Sequence, residues 1–203
     1  IITIANKFKS TNSMNNSQDT AIIKVIGTFC YLYSGDKLVI TPTGCTGDYD
    51  FQWQKSTDNI HWEDIEGATD SILILPPLTD TTYIRVMVTP DHICGEPKPS
   101  RNTLLYYILP KFEPGIITGD TPGLYCERYK IDTLRANPTG GSGVYNYQWQ
   151  YSIDGFTWVD IPNATNDKYS PDQLIQTIFY RVMIDPTGNP DCGDWTKTDS
   201  LLF

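Results

Sequence analysis

The chain has little positive charge and only two histidines among its 203 residues. Its 15 lysines and arginines face 24 aspartates and glutamates, which gives a net charge of -9 at pH 7. Because such a chain repels phosphate backbones and anionic lipid head groups, no nucleic-acid or membrane-surface partner is expected. No apolar run approaches the roughly 20 residues of a membrane-spanning helix, so no direct membrane insertion is expected either.

Patterns for catalysis and metal binding are also scarce. Both histidines, His61 and His92, lie in the first half of the chain, so a nucleophilic triad in the second half would have no histidine base. No Cys-x-x-Cys spacing occurs, which disfavours a zinc site.

Internal repetition is what the chain has in abundance. Residues 51–58 return 96 residues later as 147–154, and 10 of the 21 positions from 51 to 71 are identical in the two copies. A repeat of this length has the size of a domain and exceeds a solenoid unit of roughly 20 to 50 residues. The predicted organisation is module one at residues 23–109, a short proline-rich linker at 110–115 and module two at 116–203.

The alternation of apolar and polar residues predicts an all-β fold. Short β-rich runs are separated by turn residues at intervals of about 8 to 12 residues, which is typical of a β-sandwich. Because Arg85 must face outward, its neighbours Ile84 and Val86 are expected in the core. The same alternation places Trp53 and Trp149 inside. Since a buried tryptophan between two sheets is an immunoglobulin-like feature, we predict two tandem immunoglobulin-like β-sandwich domains.

The opening residues are similar to the end of module one. Residues 1–8 form an apolar run that ends in Lys-Phe, as residues 105–112 do. They are therefore expected to be the terminal strand of a preceding repeat, followed by a polar linker up to residue 22. The chain would then be a segment of a longer array.

The repeat also sorts the five cysteines. Cys30 corresponds to Cys126 at the same offset, and Cys94 corresponds to Cys192 after a two-residue insertion. Each module is thus predicted to close one structural disulfide, Cys30–Cys94 or Cys126–Cys192, worth roughly 4 kcal/mol by chain-entropy arguments. Cys45 has no counterpart and is either a free thiol or a competitor of Cys30 for Cys94. Because disulfides persist in oxidising compartments, an extracellular or outer-cell-surface location is predicted.

One outward-facing group of side chains recurs in both modules and forms a candidate ligand patch. Its members are Trp62, Arg85 and Gln54 in module one and Trp158, Arg181 and Gln150 in module two. Aromatic rings beside amides could stack on sugar rings and bind their hydroxyls. The alternative is a brace in which each arginine lies over the tryptophan and pairs with Asp64 or Asp160, worth roughly 0.5 to 1 kcal/mol. Recurrence in both copies favours the brace.

Two further patterns suggest chemistry only weakly. Asp58 and Asp64 could act as a pair of glycosidase carboxylates, but both recur in module two, which favours turns and braces. Residues 185–194 contain enough oxygen ligands for calcium but lack the ligand order of a calcium loop. The sequence therefore predicts no catalytic residue, no metal and no cofactor.

The order of these motifs resembles a known family of repeats. In module two the motifs are Cys126, Tyr147–Gln150, Ser152–Gly155, Trp158–Ile161, Tyr180–Val182 and Cys192. This series is similar to the Ig-like tandem repeats of large secreted and cell-surface, adhesin-like proteins of the Bacteroidetes. The resemblance implies long exported arrays attached to the outer surface, and it brings no catalytic residues.

Together these features favour a non-enzymatic extracellular segment that serves as a stalk, spacer or cell-adhesion module of an adhesin-like surface protein. The expected partners are a protein or glycan ligand on another surface and the neighbouring repeats of the same polypeptide, with the segment itself monomeric. The alternative is a carbohydrate-binding module, free-standing or appended to a secreted glycoside hydrolase.

Overall fold

The computed structural model describes residues 1–4, 22–42, 48–90, 95–186, 192 and 196–203. These residues divide into two units, Ile1–Leu109 and Pro110–Phe203. From here on, module one and module two denote these two units, which are longer than the predicted ranges of 23–109 and 116–203. The part of the chain that is described contains no α-helix, and so none that could cross a membrane. Each module consists of two β-sheets around its own core, which confirms the prediction of two immunoglobulin-like sandwiches.

The described residues of module one form nine strands in two sheets. The larger sheet has the order β2-β9-β7-β4-β5, with β8 also beside β7, and the smaller sheet has the order β1-β3-β6. The strands are β1 (Ile2–Ile4), β2 (Ile22–Phe29), β3 (Lys37–Ile40), β4 (Tyr49–Ser56), β5 (Glu63–Asp64), β6 (Ile72–Ile74), β7 (Thr82–Pro90), β8 (Lys98–Pro99) and β9 (Asn102–Ile108).

Module two has a similar plan with mostly shorter strands, but its larger sheet, as described, has no strand equivalent to β2. Its larger sheet has the order β13-β12-β15-β16, with β17 also paired to β15, and its smaller sheet has the order β10-β11-β14. The strands are β10 (Ile117–Thr118), β11 (Leu134–Ala136), β12 (Asn146–Ser152), β13 (Val159–Asp160), β14 (Lys168–Tyr169), β15 (Phe179–Asp185), β16 (Thr196–Lys197) and β17 (Leu201–Leu202).

The core of each module follows the predicted alternation. Ile84 and Val86 are fully buried, while Arg85 between them is only partly buried on the outer face. Trp53 and Trp149 are both 0% exposed, and their indole N–H groups donate to the carbonyl oxygens of Asp70 and Asn166, each at 2.9 Å. Because the buried indole nitrogens have partners, these large side chains contribute their full apolar area without an unpaired polar group.

The assignment of residues 1–8 to a preceding repeat is wrong for the residues that are described. Strand β1 pairs antiparallel with β3 of module one, and Ile2 and Ile4 belong to the buried core of that module. Asn102 holds the strand in place, because its side chain accepts from the Ile2 N–H at 2.9 Å and donates to the Ile2 carbonyl at 3.1 Å. Residues 5–21 lie outside the described part.

The predicted linker at residues 110–115 is also corrected, since it packs against module two. Glu113 exchanges two backbone hydrogen bonds of 3.0 Å with Thr139, and Phe112 contacts the core of module two. Gly140 has a φ of 75°, and a Cβ atom there would collide with the carbonyl oxygen of Lys111. Glycine at this position therefore permits the close approach of the two backbone segments.

Candidate functional site

The candidate patch of module one is a row of side chains across three strands. Gln54 on β4 lies opposite Arg85 on β7 and, on its other side, opposite Asp64 on β5. Arg85 Nε donates to Gln54 Oε1 at 2.7 Å, and Gln54 Nε2 donates to Asp64 Oδ1 at 2.8 Å. The glutamine amide thus links the arginine to the aspartate.

Module two reproduces the row with nearly the same distances. Gln150 pairs with Arg181 and Asp160 on the neighbouring strands. Arg181 Nε donates to Gln150 Oε1 at 2.7 Å, and Gln150 Nε2 donates to Asp160 Oδ1 at 2.7 Å. Arg181 can only donate and the Asp160 carboxylate can only accept. The amide oxygen of Gln150 must therefore face Arg181, and its nitrogen must face Asp160.

Each arginine also covers a tryptophan. The guanidinium carbon of Arg85 lies 4.0 Å from the ring centroid of Trp62, and that of Arg181 lies 4.1 Å from the centroid of Trp158. This geometry is that of a cation-π contact. One face of each indole is therefore occupied by the protein itself, which leaves less of the ring to stack on a sugar.

The structure confirms the stacking part of the predicted brace and corrects the ion pair. Arg85 and Asp64 lie two strands apart, a separation of about 10 Å between their backbones, and Gln54 occupies the strand between them. The glutamine therefore replaces a direct salt bridge. Burial lowers the pKa of both arginines, and the charge of Asp160 partly opposes this effect at Arg181.

Replacing Arg181 with lysine is expected to lower the free energy of unfolding of module two by about 0.5 to 1.5 kcal/mol. Lysine has no Nε–H in the position that binds Gln150 and no planar group to stack on Trp158. Hydrogen exchange measured by mass spectrometry reports the opening free energy of module two separately. Arg135→Lys, at an exposed position of β11, is the matched control, and equal effects of the two substitutions would rule out the brace.

A second duplicated feature is the turn after β4 and after β12. Asp58 Oδ1 accepts from the backbone N–H groups of Ile60 and His61, both at 2.8 Å. The His61 ring, together with these N–H groups, holds the pKa of Asp58 well below its usual value. In module two the N–H groups of Thr157 and Phe156 lower the pKa of Asp154 in the same way.

The lowered pKa of Asp58 argues against the glycosidase pair of Asp58 and Asp64. A general acid needs a carboxyl group whose pKa is raised, so that it holds a proton near neutral pH. Asp58 is stabilised in its ionised form, and Asp64 is tied to the amide of Gln54. Both carboxylates thus have structural partners.

The cysteines differ from the predicted pattern. Cys30 and Cys192 are each disulfide-bonded, whereas Cys126 is a free and exposed thiol. The predicted Cys126–Cys192 disulfide is therefore wrong. Residues 119–133, all of them described, hold no strand, so nothing equivalent to β2 precedes Cys126 as it precedes Cys30. Cys94 and Cys45 lie outside the described residues, and the Cys30–Cys94 pairing stays a prediction.

The metal prediction can be compared only with the described part of the chain. Within it, no three histidine, cysteine, aspartate or glutamate side chains lie close enough together to hold a metal ion. Most of the possible calcium loop, namely residues 187–191, 193 and 194, lies outside that part.

The structure also shows an open concavity of about 640 Å³ on module two that the sequence analysis did not identify. It lies beside the duplicated row, on the outer side of β12, β13 and β15. Its lining residues are Asn146, Tyr147, Gln148, Gln150, Asp160, Thr165 and Met183. Outward-facing positions on the strands were predictable, but their grouping with Thr165, in the segment after β13, depends on the tertiary fold.

Comparison with known proteins identifies one family. No curated protein matches the chain. Among solved structures, the chain is similar to the crystal structure of DIP-gamma IG1+IG2, with 11% sequence identity over 88% of this chain and 92% of that chain and a TM-score of 0.49. The family described as "Domain of unknown function (DUF8696)" matches twice, at residues 12–105 and 113–198. The chain therefore belongs to this family and carries two copies of its domain.

Proposed function

We propose that this chain is a non-enzymatic, extracellular segment of a surface protein, in which immunoglobulin-like modules act as a stalk or spacer of adhesin type. The observation that supports it most is the duplication of internal contacts. The Trp-Arg-Gln-Asp row and the Ser-x-Asp turn recur 96 residues apart with hydrogen-bond lengths that agree within about 0.1 Å.

The row and the turn therefore hold each module together. Each polar side chain of the row has a partner inside its own module, and each tryptophan is covered by an arginine. Tandem copies of a self-contained module suit a spacer, since each additional copy adds length without requiring a new core. The two disulfide-bonded cysteines favour an oxidising compartment.

Cys126 provides a direct test of the location. If the segment is displayed outside the cell, a membrane-impermeant maleimide added to intact cells of the source organism will label this exposed thiol before lysis. Mass spectrometry of the Cys126 peptide measures the labelled fraction, and a cytoplasmic protein with an exposed thiol serves as the control. Labelling of Cys126 only after lysis would contradict the proposal.

A further inference from the structure

The concavity of module two contains hydrogen-bond acceptors whose orientation is already determined. Gln148 Nε2 donates to the carbonyl oxygens of Trp149 and Ile161, at 2.9 and 3.0 Å, which directs its Oε1 atom elsewhere. Asp160 accepts from Gln150 through Oδ1 alone. Among the described contacts, Gln148 Oε1 and Asp160 Oδ2 make no hydrogen bond, so both can accept one from a ligand.

Asn146 adds a third acceptor at the other end of the lining. Its Nδ2 group donates to Asp185 Oδ2 at 3.4 Å, which leaves Oδ1 available. The hydroxyl of Thr165 can donate or accept, and it has no hydrogen bond among the described residues. The site therefore combines three acceptors of fixed orientation with a hydroxyl that can also donate.

The remaining lining chemistry narrows the class of ligand. The thioether chain of Met183 offers apolar surface, and neither lysine nor arginine is among the lining residues. The one charged residue of the lining is the carboxylate Asp160, which disfavours anionic ligands. The volume of about 640 Å³ lies within the usual range of roughly 300 to 1,000 Å³ for small-molecule sites.

We propose that this concavity of module two binds an uncharged carbohydrate. Sugar hydroxyls would donate to Gln148 Oε1, Asp160 Oδ2 and Asn146 Oδ1, and Thr165 would donate to a sugar oxygen. The C–H surface of the sugar would lie against Met183. This site differs from the tryptophan patch predicted from the sequence, because Trp158 is not part of its lining.

Module one supplies a natural comparison. The positions 96 residues earlier hold the same residues at five of the seven lining sites: Gln52, Gln54, Asp64, Thr69 and Met87. The two differences are Asp50 in place of Asn146 and Phe51 in place of Tyr147. The first adds a negative charge to the lining. The second lies on the inward side of the strand, where both rings pack against the core. We therefore place the carbohydrate site in module two only.

The test uses the full chain, fluorescently labelled, on a printed array of uncharged oligosaccharides with sialylated and sulfated oligosaccharides on the same slide. The chain is expected to bind uncharged oligosaccharides. Asp160→Asn should weaken that binding about tenfold or more, because an N–H group replaces the Oδ2 acceptor while Oδ1 can still accept from Gln150. Thr165→Val should weaken it about threefold to tenfold.

Asp64→Asn is the matched control, since it makes the same change in module one and should leave binding unchanged. A second variant, Asn146→Asp, carries the residue that module one already has at this strand position, and it should also lose binding. Hydrogen exchange verifies that each variant is folded. The proposal is overturned if no uncharged oligosaccharide binds, if only acidic ones bind, or if D64N weakens binding as much as D160N.

Discussion

Truncating Trp53 to alanine is expected to lower the free energy of unfolding of module one by about 3 to 5 kcal/mol. The side chain is 0% exposed, lies in the core with Ile84 and Val86, and donates its indole N–H to the carbonyl of Asp70. Alanine would leave a large cavity and a carbonyl without its donor. Since natural domains are stable by only about 5 to 15 kcal/mol, much of the stability of module one would be lost.

Hydrogen exchange by mass spectrometry can assign this loss to one module. Trp149→Ala should destabilise module two by a similar amount, because Trp149 is equally buried and donates to Asn166. Trp62→Ala, which removes a partly buried ring and one cation-π contact, should cost only about 1 to 2 kcal/mol. A loss for Trp62→Ala as large as for Trp53→Ala would show that core and surface were wrongly assigned.

Replacing both Ile2 and Ile4 with alanine is expected to destabilise module one by about 4 kcal/mol. The two side chains are 2% and 8% exposed and pack in the core of module one. Each buried isoleucine truncated to alanine typically costs about 2 to 5 kcal/mol, and an edge strand lies at the lower end of that range. Urea unfolding combined with hydrogen exchange measures the change.

Ile1→Ala is the control for this experiment, because Ile1 is 56% exposed and its truncation should change stability by less than about 0.5 kcal/mol. The result separates two readings of the first residues. If they were the end of a preceding repeat, the double substitution would leave the hydrogen exchange of module one unchanged.

The strands and core of both modules could be predicted from short stretches of sequence. Around Arg85, burying one register of the strand would bury a charge, so only the other register was possible. The same rule applies in module two, where Tyr180 and Val182 are buried on either side of Arg181. Such alternation needs no knowledge of the neighbouring strands.

The brace was only partly predictable. The recurrence of Trp62 and Arg85 indicated that they meet, and the structure confirms the contact. The position of Gln54 between Arg85 and Asp64 depends on the order of three strands that are separated in the chain. Because strand order is a property of the sheet, the sequence favoured a direct ion pair that the sheet does not allow.

The repeat, the all-β class and the inward-facing residues were determined by the sequence alone, since a fixed offset and a period of two are visible within short windows. Tertiary structure decided which strands are neighbours, and with it the place of Ile2–Ile4 in module one, the free thiol of Cys126 and the concavity beside Asp160. Each of these depends on contacts between segments far apart in the chain. The free energy of such a contact depends on how the two segments pack together, and no single stretch of sequence contains both segments.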